Sequence, residues 1–427
     1  MLVQEKSNGG TRMDTIVENP DRIRSAEIIV GLPSYNEADS ISHPTEVAAQ
    51  GLSKYFFDKK SVIINVDNHS PDGTHDAFMN TQTSIPKIYI STPEGVKGKG
   101  NNLKNLFEAA VELDAKAVVV VDADLRSIRP QWIQFLAEPI LAGFNYVTPI
   151  YVRHKYDGSI TNHIAYPLLR TLFGLRVRQP IGGDFGFSGR MARAFLSEKL
   201  WNESISHFGI DIWMTTIAIA RRFKVCQTFL GSPKIHRAKD PAKHLGPMFT
   251  QVVMTFFDLM VDFEYLWKDT SESWPSSIFG FGLGVDDKPS PIDIDTDALH
   301  TSFVSGFDEY GDTWEKIIPA PEFAEIRKTK EMQRDDFYYP SDLWARVLFS
   351  FAIAYRNNET PWKQVIEAMI PFYHSRILSF VNKTTAMETR ECEEYFESIN
   401  RIFENEKGYL IKRWDEDQKK LGHKLFR

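Results

Sequence analysis

An α/β fold is predicted: a mostly parallel sheet in the first half of the chain, followed by a mostly helical C-terminal region. Two observations predict the sheet. From Glu27 to about Leu230, short apolar runs alternate with helical stretches, as in successive strand–helix–strand units. Within that span Val118 to Val121 stand in a row, which suits a strand covered on both faces, where apolar residues need not alternate. A third observation predicts the change of architecture. Beyond residue 300 the strand pattern stops, and aromatic-rich helical segments cover 339–355, 362–381 and 391–409.

The elements follow in order. The first residues are polar and charged, and 1–24 reads as a flexible tail. Strands are expected over 27–32, 62–66, 87–91, 118–121 and 146–151, with helices between them over 45–57, 73–81, 101–113 and 130–142. The last helix begins with Pro130, whose missing N–H costs nothing in a first turn. After Arg153 the alternation loosens, and 179–189 reads as a loop-rich segment. A helix over 211–222 and a strand over 224–229 close the unit, and 241–267 reads as one long amphipathic helix. The stretch 270–297, rich in Ser, Pro, Gly and Asp, reads as a linker or mobile flap. The expected organisation is a tail (1–24), an α/β domain (25–267), a linker or flap (268–300) and a helical region (301–427).

Composition narrows the function. A formal charge of −7 gives no basic footprint for nucleic acid. Two cysteines, Cys226 and Cys392, exclude a disulfide framework and a zinc site built on cysteine pairs, and fit a reducing compartment. The polar N-terminus is no signal peptide, and no apolar run is long enough for a membrane span. A cytoplasmic protein is expected.

Polar groups gather at the strand ends. The valine run leads into Asp122-Ala123-Asp124, at the edge where open α/β sheets place their ligands. Two such carboxylates suit a hard divalent cation, which in turn can grip a diphosphate; capping and turn roles suit them also. The first strand runs into Leu32-Pro33-Ser34-Tyr35-Asn36-Glu37, where Pro33 fixes a turn, and the second into Asp67-Asn68-His69-Ser70-Pro71-Asp72-Gly73-Thr74. The third is followed by Gly98-Lys99-Gly100, whose backbone N–H groups and lysine charge suit diphosphate oxygens; a simple turn is the alternative. Its spacing is neither that of a P-loop nor that of a full dinucleotide-binding fingerprint. Gly182-Gly183-Asp184 allows close approach of backbone to a ligand beside a carboxylate. His236-Arg237 follows the last strand, where an imidazole suits a metal held by Asp124 and a guanidinium suits an anionic group.

Together these residues resemble the GT-A glycosyltransferases, which use nucleoside-diphosphate sugars and a metal-binding Asp-x-Asp. The order Gly98-Lys99-Gly100, Asp122-x-Asp124, Gln179-Pro180-Ile181-Gly182-Gly183-Asp184, Gly209-Ile210-Asp211 and His236-Arg237 is similar to the retaining glucosyl- and mannosyl-(3-phospho)glycerate synthases. The resemblance spans about residues 25–265. It implies that Leu32, Pro33 and Glu37 contact the nucleobase and ribose, and that Asp67 belongs to the nucleotide-side loop. Lys99 would contact the nucleotide, and Asp122 the ribose or sugar. It implies Asp124 and His236 as ligands of Mg²⁺ or Mn²⁺. Gly182, Gly183, Asp184 and Asp211 would line the donor sugar and acceptor, with Arg153 and Arg237 on the acceptor's anionic end. Ala238 stands where those enzymes tend to have Asn in a phosphate pocket, which favours free D-glycerate over 3-phosphoglycerate. Asp184 and Asp211 stand where they tend to have Glu. A homodimer is the expected assembly. Three rivals stay open: an inverting family-2 enzyme with Asp211 as base, a nucleotidyltransferase, and a nucleotide-sugar-binding protein without catalysis.

Overall fold

The computed structural model describes residues 15–236, 241–280 and 289–425. Its strands are β1 (Ile16–Glu18), β2 (Ile28–Ser34), β3 (Ser61–Asp67), β4 (Lys87–Ser91), β5 (Ala117–Val120), β6 (Tyr146–Val152), β7 (Leu175–Arg176), β8 (Phe185–Ser188), β9 (Val225–Pro233), β10 (Trp274–Pro275) and β11 (Ser277–Phe279). One sheet runs in the order β1-β4-β3-β2-β5-β8-β6-β9-β11, and β10 pairs separately with β7. The pairings β4-β3-β2-β5 and β6-β9-β11 are parallel, as the alternating pattern predicts. The predicted core strands stand within a residue or two of their expected limits, except that β9 runs on to Pro233 and β2 runs on through Pro33 to Ser34. Pro33 pairs with Val66 inside the strand, so it does not make the turn.

Three strands of the main sheet depart from the expectation, as does the separate β7–β10 pair. β1 lies within the predicted tail and pairs antiparallel with β4 at the sheet edge. β11 lies within the predicted linker and pairs with β9. β8 falls in the predicted loop and inserts antiparallel between β5 and β6. Its sequence Phe-Gly-Phe-Ser is short and interrupted by glycine, which locally resembles a turn. A side chain at Gly186 would meet the Leu136 carbonyl oxygen at 2.2 Å, so the helix Pro130–Leu141 packs too closely for any other residue. The helix Gly189–Ser197 then follows, with Ser188 as its N-cap accepting from the Met191 N–H. The single predicted helix over 241–267 is two helices, Pro241–Asp262 and Glu264–Asp269, divided at Phe263.

The two faces of the sheet are covered unequally. Helices Ser42–Tyr55 and Pro130–Leu141 close one apolar layer over Ile28, Val30, Leu32 and Val119. On the other face the core runs from Leu103 and Phe107 through Trp213 and Phe256 into Trp344 and Phe372 of the C-terminal helices. The helical region therefore continues the core of the sheet domain. Burial of each large apolar side chain there contributes roughly 2–3 kcal/mol. Polar contacts fasten the same seam. Arg170, fully buried, donates to Glu397 at 2.9 Å and Glu404 at 2.7 Å. Lys155 donates to the carbonyls of Thr384, Thr385 and Met387 at the end of helix Trp362–Thr384. No described helix is long and apolar enough to cross a membrane.

Candidate active site

The carboxyl ends of β5, β6 and β9 converge, and backbone pairing brings their loops together. Leu125 forms an antiparallel bridge with His236, and the Arg126 N–H donates to the Ile235 carbonyl at 2.8 Å. This pairing sets His236 Nδ1 at 3.0 Å from Asp124 Oδ1. Asp124 is only 3% exposed at its side chain, whereas His236 is 38% exposed, so the pair opens on the imidazole side. One carboxylate and one imidazole are a donor set acceptable to Mn²⁺ or Mg²⁺. Among the described residues no third His, Cys, Asp or Glu completes a cage. Ions of this kind are commonly held by one or two carboxylates plus substrate phosphates and water, so the pair fits that mode.

Asp122 anchors the second feature, a compact cluster of charges. Lys99 Nζ lies 3.0 Å from its Oδ1 and Lys234 Nζ lies 2.8 Å from its Oδ2. Lys99 also reaches Asp211 at 3.3 Å, and Lys234 reaches Asp184 Oδ2 at 2.8 Å and the Gly182 carbonyl at 2.7 Å. Burial works against charge on both ammonium groups, but Asp122 with Asp211, and Asp122 with Asp184, outweigh it and hold both lysine pKa values up. Burial likewise disfavours the Asp122 carboxylate, and Lys234 and Lys99 reverse this and hold it well below the usual range. For Asp211 burial wins, and its carboxyl is raised.

Asp184 is fully buried beneath this layer. Its Oδ1 accepts from the Asp122 N–H at 3.0 Å, and its Oδ2 accepts from the Tyr151 hydroxyl as well as Lys234. The carboxylate thus faces inward and holds its neighbours, where the resemblance implied a surface lining the sugar. Gly182 and Gly183 cross above it. Gly183 has φ +87°, and a side chain there would stand 2.5 Å from Lys234 Nζ and 2.7 Å from Asp122 Oδ2.

Gly98-Lys99-Gly100 is built differently from the expected phosphate cradle. The Gly98 N–H donates to Asn68 Oδ1 at 2.9 Å and the Gly100 N–H to the His207 carbonyl at 3.2 Å, so both are occupied within the protein. The glycines serve close packing: side chains at 98 and 100 would meet backbone oxygens of Ser206 and Ile205 at 2.2 and 1.9 Å. What the loop presents to the site is the Lys99 side chain.

On the nucleotide side, the expected contacts Leu32, Pro33, Glu37 and Asp67 are all buried. The Leu32 side chain is buried in the layer under the helices Ser42–Tyr55 and Pro130–Leu141. Asp67, also fully buried, accepts from Ser34 Oγ at 2.6 Å, Ser70 N–H at 2.7 Å and Tyr89 hydroxyl at 3.0 Å. It pins the loop in place of facing a ligand. Buried Glu37 accepts from Ser40 Oγ at 2.8 Å, and its N–H donates to Thr74 Oγ1 at 2.9 Å. Exposed on that rim is Tyr35, whose hydroxyl accepts from Lys97 Nζ at 2.6 Å.

Arg153 follows β6, with its guanidinium 5.2 Å from the Tyr151 ring centroid and 3.3 Å from Asp157. A register shift in the β6–β9 pairing between Ile150 and Val152 re-aims this end of the sheet. Arg237 and Ala238 lie outside the described residues. Two residues escaped the motif reading, Lys234 and Tyr151. A lysine directly after an apolar core strand, at the ligand edge of the same sheet as Asp-x-Asp, was the available signal for the first. Tyr151 read simply as the last residue of a strand.

No curated protein matches this sequence. Similar solved structures include glucosyl-3-phosphoglycerate synthase from Mycobacterium tuberculosis in complex with Mn²⁺, uridine diphosphate and glucosyl-3-phosphoglycerate, at 23% identity over 55% of this chain and 80% of that one, with a TM-score of 0.44. The same protein in complex with phosphoglyceric acid matches at 22% identity over 62% and 89%, also with a TM-score of 0.44. Residues 29–201, the stretch that carries Lys99, Asp122, Asp124 and Asp184, match the family model of glycosyl transferase family 2, which supports a glycosyltransferase.

Proposed function

We propose that the protein transfers glucose or mannose from a nucleoside-diphosphate sugar to D-glycerate, with retention of anomeric configuration and with Mg²⁺ or Mn²⁺ as cofactor. The observation that carries this reading is the pairing of Asp124 with His236 beside the Lys99–Asp122–Lys234 cluster, on one edge of a sheet that the glycosyl transferase family 2 match largely covers. Asp124 and His236 would hold the cation, and a bound cation neutralises charge that builds on a departing diphosphate. Lys99, held protonated among its carboxylates, adds positive charge at the same edge. Asp184 and Lys234 fix the Gly182-Gly183 turn against Asp122, which closes the wall of the sugar pocket. Arg153 suits the acceptor carboxylate, since a guanidinium holds one through two parallel hydrogen bonds. With retention, the leaving phosphate oxygen takes the acceptor's proton on the same face. The chain then has no need of a dedicated base.

The raised carboxyl of Asp211 favours a second reading, an inverting transfer with Asp211 as general base. Proton NMR of the product decides between them, an α-linked product from an α-configured donor supporting retention. The cation is tested by chelation: activity is expected to vanish in EDTA and return with Mg²⁺ or Mn²⁺. Because the described residues offer only two ligands, calorimetry should detect Mn²⁺ binding far better with the nucleoside diphosphate present than without it. Full activity in chelator removes the metal from the proposal. Side-by-side kinetics on D-glycerate and 3-phosphoglycerate test the acceptor, and a strong preference for the phosphorylated one overturns the choice of free glycerate.

A further inference from the structure

The segment 153–159 after β6 wraps the guanidinium of Arg153. Asp157 pairs with its Nη1 at 3.3 Å. Gly158 has φ +66°, and a side chain there would stand 2.8 Å from the same Nη1, so the guanidinium packs across a position that suits glycine. Tyr151 is the third neighbour. Its ring centroid lies 5.2 Å from the Arg153 guanidinium and 5.3 Å from Lys234 Nζ, and its hydroxyl donates to the Gly182 carbonyl at 3.1 Å. One aromatic ring thus joins Arg153 to the Gly182-Gly183 wall.

The segment is half-buried, and its anchors come from far along the chain. Lys155 donates to the carbonyls of Thr384, Thr385 and Met387 at 2.7, 3.1 and 2.8 Å, where a helix C-terminus favours a cation. The Ser159 and Tyr373 hydroxyls share a hydrogen bond of 2.5 Å. The Tyr156 ring meets the Phe380 ring edge-on at 6.2 Å. Tyr373, Phe380 and Thr384 are positions i, i+7 and i+11 of helix Trp362–Thr384, which places them along one face. Tyr373 and Phe380 are themselves buried in the core that the helices share with the sheet domain. We propose that helix Trp362–Thr384 is a positioning element for the acceptor: through Lys155, Tyr156 and Ser159 it fixes the segment that wraps Arg153, and so sets the affinity for the acceptor's carboxylate. The inference rests on the reading of Arg153 as the carboxylate's partner. A segment released from the helix has to be ordered again each time an acceptor binds, and that entropic cost falls on the acceptor and not on the donor.

The test separates the segment from the reaction. In amide hydrogen exchange of the full chain, residues 153–159 should exchange roughly tenfold faster in Lys155→Met than in wild type. Lys155→Arg, whose guanidinium can donate to the same carbonyls, should exchange as wild type does. In steady-state kinetics with the glycerate-type acceptor that the wild type uses, Lys155→Met should raise the acceptor KM about five- to twentyfold, with kcat and the donor KM within about twofold of wild type. Lys155→Arg should restore the acceptor KM. An unchanged acceptor KM overturns the proposal, as does an equal rise in both KM values. A loss of kcat with both KM values unchanged also overturns it, because that marks a smaller folded fraction. Should Lys155→Met not fold, Tyr373→Phe removes the other polar anchor: a raised acceptor KM with an unchanged donor KM supports the proposal, and a wild-type acceptor KM overturns it. Wild-type protein that turns over neither D-glycerate nor 3-phosphoglycerate removes the reading of the reaction. Exchange then decides on the helix by itself, faster exchange in Lys155→Met supporting the anchor and equal exchange overturning it.

Discussion

At the scale of single residues, the site rests on opposite charges that share one desolvated space. Lys234 is the centre of this arrangement, since it alone among the described residues touches Asp122, Asp184 and the Gly182 carbonyl. Removing one partner of a buried pair strands the other, at a cost of about 3–5 kcal/mol. Lys234→Met and Asp184→Asn are each expected to destabilise the protein on that scale. Combined, they should lose at least about 1 kcal/mol less than the sum of the singles, because the double variant leaves fewer charges stranded. Denaturant unfolding of the four proteins measures the coupling; strictly additive losses would show that Lys234 and Asp184 do not depend on each other. Lys407 poses a different case. Burial pushes its ammonium down to about 8, although Glu404 works the other way. The folded state therefore gives up this proton more readily than the unfolded chain, whose lysine titrates near 10.5. The contribution to stability is unfavourable below pH 8 and fades as pH rises towards 10.5. Lys407→Met should thus have its greatest advantage in Tm over wild type near neutral pH, and the gap should shrink on the alkaline side. A gap independent of pH would refute this account.

At the scale of elements, close backbone approach decides where glycine is required. Gly100 and Gly311 both sit in helices, Lys99–Glu112 and Thr296–Ile317. A side chain at Gly100 would collide with the Ile205 carbonyl at 1.9 Å, whereas one at Gly311 meets nothing within 4 Å. Gly100→Ala is expected to destabilise by about 1–3 kcal/mol through forced separation of two backbones, and to lower activity because Lys99 moves with its helix. Gly311→Ala should instead stabilise by about 0.5–1 kcal/mol, since it only reduces the freedom of the unfolded chain. Chemical denaturation of the two variants gives opposite signs if this reading holds. The comparison also shows why Gly-Lys-Gly resembled a phosphate loop. Both uses of glycine demand a missing Cβ, and only the neighbour, here Ile205–Ser206, tells them apart.

For the whole molecule, the apolar core that begins under β2 and β5 continues without a break to Trp344, Phe372 and Phe403. The boundary proposed near residue 267 separates stretches of sequence but does not divide this core. Calorimetry of the full chain is expected to give a single endotherm, with sheet and helical region melting together. Two resolved transitions would mean that the seam of Arg170, Lys155 and Trp344 is too weak to couple them.

The sequence alone determined the parallel strands, their order of appearance and the polar residues at their ends. Those signals are local: apolar runs such as Val118–Val121 specify buried strands, and acidic or glycine-rich turns specify strand ends. The site's chemical character was legible in the same way, because Lys99, Asp122, Asp124 and His236 each stand at such an end. Only the tertiary structure decided which polar groups face the opening and which face inward. Leu32 and Asp67 follow ligand-like motifs yet lie buried, since their surroundings are set by Tyr89 and Ser70 and by helices distant in sequence. β8 was hidden for the same reason. Its four residues have little strand character of their own, and they become a strand because β5 and β6 supply hydrogen bonds on both sides. Local pattern records what a segment can form, and long-range packing selects what it must satisfy.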